Sequence, residues 1–193
     1  DRTRQSKEST QKHRKRLADP RAVSGFRPML KELVYPVVVQ RSKGPRVWDV
    51  DSNEYIDVLN GFGMNYFGWS PDFINQAVLE QLETGIEIGP QTPLAGEVAE
   101  LFCELTGMQR VAFANTGTEA VMGAMRLART VTGKSKIAIF AGAYHGNIDE
   151  VLVRGTRKLK TIPAAPGIPR SACENMLVLD YGTAASLEVL KKH

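Results

Sequence analysis

The sequence has few of the residues that build metal sites and disulfide frameworks. Its two cysteines, Cys103 and Cys173, lie 70 positions apart, and only three histidines occur in the whole chain. Neither cysteine belongs to a C-x-x-C pair or lies beside a histidine cluster, so the pattern predicts neither a zinc site nor a disulfide framework. We therefore expect no metal site and interpret both cysteines as packing residues.

Long apolar runs are missing as well. No stretch approaches the roughly 20 consecutive apolar residues that span a bilayer. The first residues are polar and basic, without the apolar core of a signal peptide. Hydrophobic residues make up 42% of the 193 positions, which is typical of a globular protein. Together these features predict a soluble, cytoplasmic protein without a membrane partner.

Acidic residues are scarce only at the start of the chain. The first 16 residues carry seven lysines and arginines against two acidic side chains, while the net charge of the whole chain is +4. The basic character therefore belongs to this segment. Because no interleaved aromatics and no groove-reading motif accompany it, the run favours a solvated helix or a linker over a nucleic-acid contact. We expect no nucleic-acid partner.

The composition and the positions of proline and glycine residues that interrupt helices divide the chain into three parts. Residues 1–28 form a basic, helical or linker-like entry segment, and residues 29–93 an N-terminal subdomain with a β-hairpin and a helix. Residues 94–193 are the first part of a larger α/β domain. Within the subdomain we predict a strand at 35–40, a hairpin over 46–59 and a helix over 71–83.

The last hundred residues alternate between strand and helix patterns. A helix over 94–106 has an apolar side that we expect to be buried, comprising Val98, Leu101, Phe102 and Leu105. The predicted elements that follow are strands at 110–114, 136–141 and 175–179, helices at 118–130 and 184–192, and a long loop at 155–170. Such alternation indicates a mostly parallel α/β sheet flanked by helices.

The turn from the first of these strands into the following helix is a candidate anion site. Thr116, Gly117 and Thr118 stand at the helix start, where free backbone N–H groups and the helix dipole favour a phosphate. The two threonine hydroxyls add further hydrogen-bonding groups. The alternative interpretation is a plain N-cap, in which Thr116 or Thr118 closes the helix without binding a ligand.

A second loop follows the next predicted strand and contains Tyr144 and His145. A right-handed crossover brings the carboxyl ends of both strands to one edge of the sheet, where ligands of open α/β sheets bind. An aromatic side chain beside an anion cradle suits a cofactor that has a phosphate and a flat heteroaromatic ring. His145 is open to two interpretations, a hydrogen-bonded structural histidine or a catalytic one.

Four ordered motifs resemble those of class III aminotransferases, in particular the glutamate-1-semialdehyde aminomutase branch. Residues 115–129 are similar to the family's S/T-G-T/S-E-A segment, and residues 144–146 to its Y-H-G. Upstream, residues 47–57 resemble its D-x-D-G-x-x-Y-I-D hairpin and residues 67–71 its G-H-x-x-P turn. Two positions depart from the pattern: Ser52 replaces the usual turn glycine and Trp69 the usual histidine.

The resemblance implies a fold-type I pyridoxal 5'-phosphate (PLP) transferase with a small N-terminal α+β segment. Thr116, Gly117 and Thr118 would bind the PLP phosphate, Tyr144 would stack on the pyridine ring, and His145 would lie nearby. It also implies that the Schiff-base lysine lies beyond residue 193, so no catalytic residue is assigned here. We expect the chain to be an N-terminal fragment that is inactive alone and belongs to a homodimeric enzyme.

Three further segments, 22–28, 31–36 and 89–97, resemble aminotransferase modules of hybrid polyketide and nonribosomal peptide synthetases of the microcystin and mycosubtilin type. This implies amino transfer from an amino-acid donor to a keto acceptor, a β-ketoacyl thioester on a carrier protein. One alternative is glutamate-1-semialdehyde 2,1-aminomutase of tetrapyrrole synthesis. Another, of a different class, is a non-catalytic fragment or interaction piece.

Overall fold

The computed structural model describes residues 2–18, 28–30, 32–87, 92–156 and 160–192. The chain divides into two units, Asp1–Gln91 and Thr92–His193, and each has its own β-structure. No helix in the described parts of the chain combines the length and the apolarity needed to cross a membrane.

The first unit contains a three-stranded antiparallel sheet with the strand order β1-β2-β3. The elements described in this unit are α1 (Arg4–His13), β1 (Val39–Lys43), β2 (Arg46–Asp49), β3 (Glu54–Ile56) and α2 (Asp72–Thr84), with 3-10 turns at Pro28–Leu30 and Asn60–Gly63. The predicted hairpin and the helix predicted over 71–83 are confirmed. The strand predicted from residue 35 begins only at Val39, because Pro36 has no N–H and the N–H of Val38 bonds a side chain.

The turn between β2 and β3 closes around a buried carboxylate. Asp49 is fully buried, and its Oδ1 accepts from the backbone N–H groups of Asp51 (2.9 Å) and Asn53 (2.8 Å). Its Oδ2 accepts from the Asn53 amide at 2.9 Å and from the Tyr55 hydroxyl at 2.8 Å. Burial acts to raise the pKa of Asp49, but these hydrogen bonds outweigh it and hold the pKa below its ordinary value. They also hold Ser52 in the left-handed region, at a φ of 66°.

Helix α1 is fixed to this turn by hydrogen bonds that span about 45 residues of sequence. The Asp51 carboxylate accepts from the backbone N–H groups of Gln5 (2.9 Å) and Ser6 (3.3 Å). It therefore fills the N-cap role that the Thr3 side chain leaves open. Ser6 is fully buried, and its Oγ accepts from the Val38 N–H at 3.0 Å. The first part of the basic entry segment is thus a helix packed on the hairpin.

The second unit is built around two parallel strands. Its described elements are α3 (Pro93–Thr106), α4 (Gly117–Thr132), β4 (Ile137–Phe140), β5 (Val153–Gly155), β6 (Thr161–Pro163), β7 (Met176–Leu179) and α5 (Ala184–Lys192), with a 3-10 turn at Arg170–Cys173. β4 and β7 pair in parallel, from Ile137 opposite Met176 to Phe140 opposite Leu179. The predicted strands at 136–141 and 175–179 and their parallel direction are therefore confirmed for the described residues. The three α-helices predicted at 94–106, 118–130 and 184–192 are also confirmed, apart from their exact ends.

The core of this unit joins α4 to the parallel pair. Met125 of α4, Ile139 of β4 and Met176 of β7 are between 2% and 8% exposed and pack together with the equally buried Val151. Helix α4 therefore lies against the sheet, and the direction of its first turn is fixed by apolar packing.

Two predictions for this unit are wrong. Residues 110–114 form no strand, because nothing in the described residues pairs with them and a strand exists only through hydrogen bonds to a neighbour. The loop predicted at 155–170 instead contributes to an antiparallel pair, since β5 and β6 align Val153 with Pro163 and Gly155 with Thr161.

The apolar side of α3 is not buried as predicted. Val98, Leu101, Phe102 and Leu105 are 39%, 57%, 52% and 84% exposed, because no described residue of the second unit covers them. The end of the helix is as predicted: Gly107 adopts the left-handed φ of 70° and its N–H donates to the Cys103 carbonyl.

Candidate functional site

The start of α4 is closed by a capping box. Thr116 is the N-cap, and its Oγ1 accepts from the backbone N–H of Glu119 at 3.2 Å. In return, Glu119 Oε2 accepts from the backbone N–H groups of Thr116 (3.2 Å) and Asn115 (2.8 Å). The N-cap interpretation is therefore correct for Thr116. Glu119 was not assigned a role from the sequence, although the spacing Thr-x-x-Glu is itself a signature of the capping box.

The capping box leaves two backbone donors of this turn unused. The N–H groups of Gly117 and Thr118, the first two helical residues, have no acceptor among the described residues. A Cβ added to Gly117 would meet nothing within 4 Å, so the first helical residue is not packed against other described residues on that side. Two free N–H groups and the positive end of a 16-residue helix form an arrangement that binds an anion.

The second predicted loop touches the first at Thr118. The backbone N–H of Asn147 donates to Thr118 Oγ1 at 3.1 Å, so the structure brings the two loops together as the sequence predicted. Gly146 lies buried against the same threonine, with a left-handed φ of 109°. A Cβ at this position would lie 2.9 Å from Thr118 Oγ1 and 3.0 Å from its Cα. The role of Asn147 was missed, because a backbone donor leaves no trace in the sequence.

Tyr144 and His145 occupy the middle of this loop. The Tyr144 side chain is 78% exposed and is therefore available to a ligand. His145 is half-buried, and its Nε2 is enclosed without a hydrogen-bond partner among the described residues. Among the described residues this nitrogen therefore has no structural hydrogen bond, and a buried polar atom without a partner indicates that a water molecule or a bound group completes its hydrogen bonding.

These residues fit a ligand that combines a phosphate with a flat ring. The phosphate would meet the donors of Gly117 and Thr118, and the ring would have the exposed aromatic face of Tyr144 beside it. No group of three or more His, Cys, Asp or Glu side chains that would hold a metal ion occurs in the described part of the chain. The site therefore offers hydrogen-bond donors and an aromatic surface.

The sequence profile of the aminotransferase class-III family matches residues 30–190. The glutamate-1-semialdehyde 2,1-aminomutase of Aquifex aeolicus (strain VF5) is 40% identical over 156 residues, which cover 79% of this chain and 37% of that enzyme. The enzyme of the same name from Persephonella marina (strain DSM 14350 / EX-H1) is 41% identical over 162 residues, or 82% of this chain and 38% of that enzyme. The chain thus spans less than half the length of these relatives.

Solved structures confirm the fold-type I assignment. A transaminase with PLP bound superposes with a TM-score of 0.85 at 32% identity, covering 99% of this chain and 45% of that chain. An omega-transaminase from Sphaerobacter thermophilus superposes with a TM-score of 0.83 at 28% identity, covering 97% and 44%. Since the family profile matches most of the chain and relatives with about 40% identity cover about 80% of it, the chain belongs to the class-III aminotransferase family.

Proposed function

We propose that residues 115–119 and 143–147 are the phosphate-and-ring part of a PLP site in an enzyme that moves an amino group from an amino-acid donor to a keto group. Class-III aminotransferases use PLP. The observation that carries the proposal is the pair of unused N–H groups on Gly117 and Thr118, which lie at the start of α4 beside the Tyr144 loop. When bound, PLP supplies the electron sink that makes the transfer of the amino group feasible.

Each residue of the site has a defined task in this proposal. The backbone N–H groups of Gly117 and Thr118 bind the phosphate, and the Thr118 hydroxyl adds a third donor. Thr116 acts indirectly, because its hydroxyl holds the first turn of the helix closed. Tyr144 covers one face of the ring, and the buried Nε2 of His145 is available for a polar group of cofactor or substrate.

For the acceptor, we propose a β-ketoacyl thioester on a carrier protein, which the reaction converts to a β-amino acyl thioester while the donor becomes a keto acid. The support is the resemblance of segments 22–28, 31–36 and 89–97 to assembly-line aminotransferase modules. Most of the first segment and part of the third lie outside the described residues, so the sequence alone carries this step. A homodimer and a cytoplasmic location complete the proposal.

A second candidate is glutamate-1-semialdehyde 2,1-aminomutase, because proteins of that name are about 40% identical over most of this chain. The two candidates differ in their acceptor. Incubating the intact, PLP-loaded protein with an amino donor and a β-ketoacyl carrier protein, or with glutamate 1-semialdehyde, separates them by mass spectrometry of the products. We expect the β-amino acyl thioester, and formation of 5-aminolevulinate would decide for the aminomutase.

The third possibility is a chain that binds the cofactor without catalysing. We propose that the lysine which holds PLP covalently is not among residues 1–193, since Lys134, Lys136 and Lys191 match no lysine motif of the family. Borohydride reduction of the PLP-loaded 193-residue chain, followed by peptide mass spectrometry, checks this. We expect no stoichiometric pyridoxyl-lysine, and a single modified lysine within the chain would contradict the proposal.

A further inference from the structure

The two loops of the proposed cofactor site meet at one side chain. Thr118 Oγ1 accepts a hydrogen bond from the Asn147 N–H at 3.1 Å. In the described part of the chain, this hydrogen bond connects the turn at 115–119 with the loop at 143–147. A threonine hydroxyl has two lone pairs and a single proton. Because Asn147 uses a lone pair, the proton of Thr118 remains free to be donated outward, and no acceptor for it occurs among the described residues.

Gly146 makes this contact possible. Its Cα lies so close to Thr118 that any Cβ would stand 2.9 Å from Oγ1, inside normal contact distance. A side chain would therefore push the loop away from Thr118 and break the hydrogen bond of the next residue, Asn147. Its φ of 109° adds a second reason for glycine at this position.

The position of Tyr144 depends on this contact. Its side chain is 78% exposed, so little packing of its own holds it in place. Within the described residues the loop is held by two hydrogen bonds, one on each side of Tyr144. They are Ala143 N–H to the Phe140 carbonyl at 3.3 Å, and Asn147 N–H to Thr118 Oγ1 at 3.1 Å.

We propose that Thr118 and Gly146 are positioning residues that hold the Tyr144 loop against the phosphate-binding turn through the Asn147 N–H. This inference rests on the proposed function, because it concerns how the same site is assembled. Thr118 then has two tasks, since one lone pair anchors the ring-binding loop while its proton points to the phosphate. Loss of its hydroxyl would weaken binding of the ring as well as of the phosphate.

The first test uses pyridoxal, which has the ring of PLP but no phosphate. In the intact protein, Thr118→Val removes the hydroxyl at nearly constant shape, and Thr118→Ser keeps it. We expect Thr118→Val to bind pyridoxal roughly two- to tenfold more weakly, which corresponds to the net contribution of one hydrogen bond. Thr118→Ser should bind it as the wild type does. In the absence of cofactor, amide hydrogen exchange at Asn147 should be faster in Thr118→Val than in the wild type, and Thr118→Ser should exchange as the wild type does.

Glycine substitutions provide a matched pair. Gly146→Ala and Gly167→Ala both place alanine at a left-handed φ, 109° and 93°, but only the first brings a Cβ against Thr118. We expect Gly146→Ala to weaken pyridoxal binding as Thr118→Val does, and Gly167→Ala, outside the Tyr144 loop, to leave it unchanged. If Gly146→Ala fails to fold, the comparison of valine and serine at position 118 still decides.

The outcomes separate this inference from the proposed function. If the wild type binds neither PLP nor pyridoxal, the proposed function fails and the inference fails with it. If the wild type binds both, but Thr118→Val weakens PLP alone and leaves pyridoxal affinity and Asn147 exchange unchanged, Thr118 is only a phosphate ligand. That result would overturn the positioning role and leave the proposed function intact.

Discussion

The indole N–H of Trp69 donates a hydrogen bond to Asp57 Oδ2 at 2.7 Å. The other oxygen of Asp57 accepts from the backbone N–H groups of Leu59 (2.9 Å) and Asn60 (3.0 Å). The Asn60 N–H and then the Trp69 indole lower the pKa of Asp57 against the opposing effect of burial. Trp69 also pairs with Gly44 through two backbone hydrogen bonds of 2.9 Å, so the indole ties the segment after β3 to the end of β1.

Replacing Trp69 with Phe should therefore raise the pKa of Asp57 towards its ordinary value, because a ring without an N–H cannot stabilise the carboxylate. Titration of the Asp57 carboxyl by NMR measures this. Trp69→His is the matched control, since it retains a ring N–H and has the residue usual in the family. A carboxyl pKa that stays the same in Trp69→Phe would show that the indole contributes nothing to Asp57.

The buried carboxylate of Asp49 should make the stability of the protein depend on pH in acid. Its pKa is lowered in the folded state, so its contribution is present above the ordinary value near 3.8 and is lost as pH falls through the folded-state value. Asp49→Asn should lower the free energy of unfolding at neutral pH, and this free energy should fall less steeply as the pH is lowered into the acid range. Urea unfolding at a series of pH values measures both effects. Asp72→Asn changes an exposed carboxylate, so its free energy of unfolding should fall in acid as steeply as that of the wild type. If the free energy of unfolding of Asp49→Asn falls in acid as steeply as that of the wild type, other titratable groups cause the loss of stability.

The capping box predicts an effect of Thr116 that does not require a cofactor. Thr116→Ala removes the acceptor of the Glu119 N–H and should destabilise the protein by about 1 kcal/mol. Urea unfolding without PLP measures this loss, and Thr116→Ser should restore most of the stability. Equal stability of Thr116→Ala and wild type would mean that Glu119 alone closes the turn.

Tyr144 should matter for the cofactor and little for the fold. Because its side chain is 78% exposed, Tyr144→Ala should leave the melting temperature of the cofactor-free protein unchanged. The same variant should bind PLP roughly two- to tenfold more weakly through loss of the ring contact. Tyr144→Phe keeps the ring and should bind PLP as the wild type does. Unchanged affinity in Tyr144→Ala would remove this residue from the site.

Local patterns in the sequence were sufficient for the elements that depend on local interactions. The hairpin over 46–59 and the α-helices follow from alternation, helical spacing and breakers, and the structure contains them. The strand expected at 110–114 is absent, because a strand needs hydrogen bonds to a neighbouring strand. The residue pattern of a single segment does not show whether such a neighbour is present. The burial predicted for the apolar side of α3 is wrong for the same reason, because the spacing of apolar residues predicts an apolar helix face but not which residues pack on it.

At the site, residue types predicted which loops meet but not how they are joined. Thr116, Gly117, Thr118 and Tyr144 were named as candidates from the sequence, and their role as cofactor-binding residues stays a prediction. The link between the loops is a backbone N–H of Asn147 bonded to a side chain 29 positions away, and any residue except proline has that donor. The burial of Asp49 was equally hidden, because its four hydrogen bonds come from a turn whose geometry is set only when the chain folds.

The cap that Asp51 provides for α1 has a consequence for synthesis of the protein. Residues 4–13 leave the ribosome well before residue 51, and a ten-residue polar helix is unstable in water without a partner. The segment therefore remains without stable structure until the β2–β3 turn has emerged and folded. During that interval its basic side chains belong to a part of the nascent chain that has no stable structure, and α1 becomes a fixed helix only when translation has passed the hairpin.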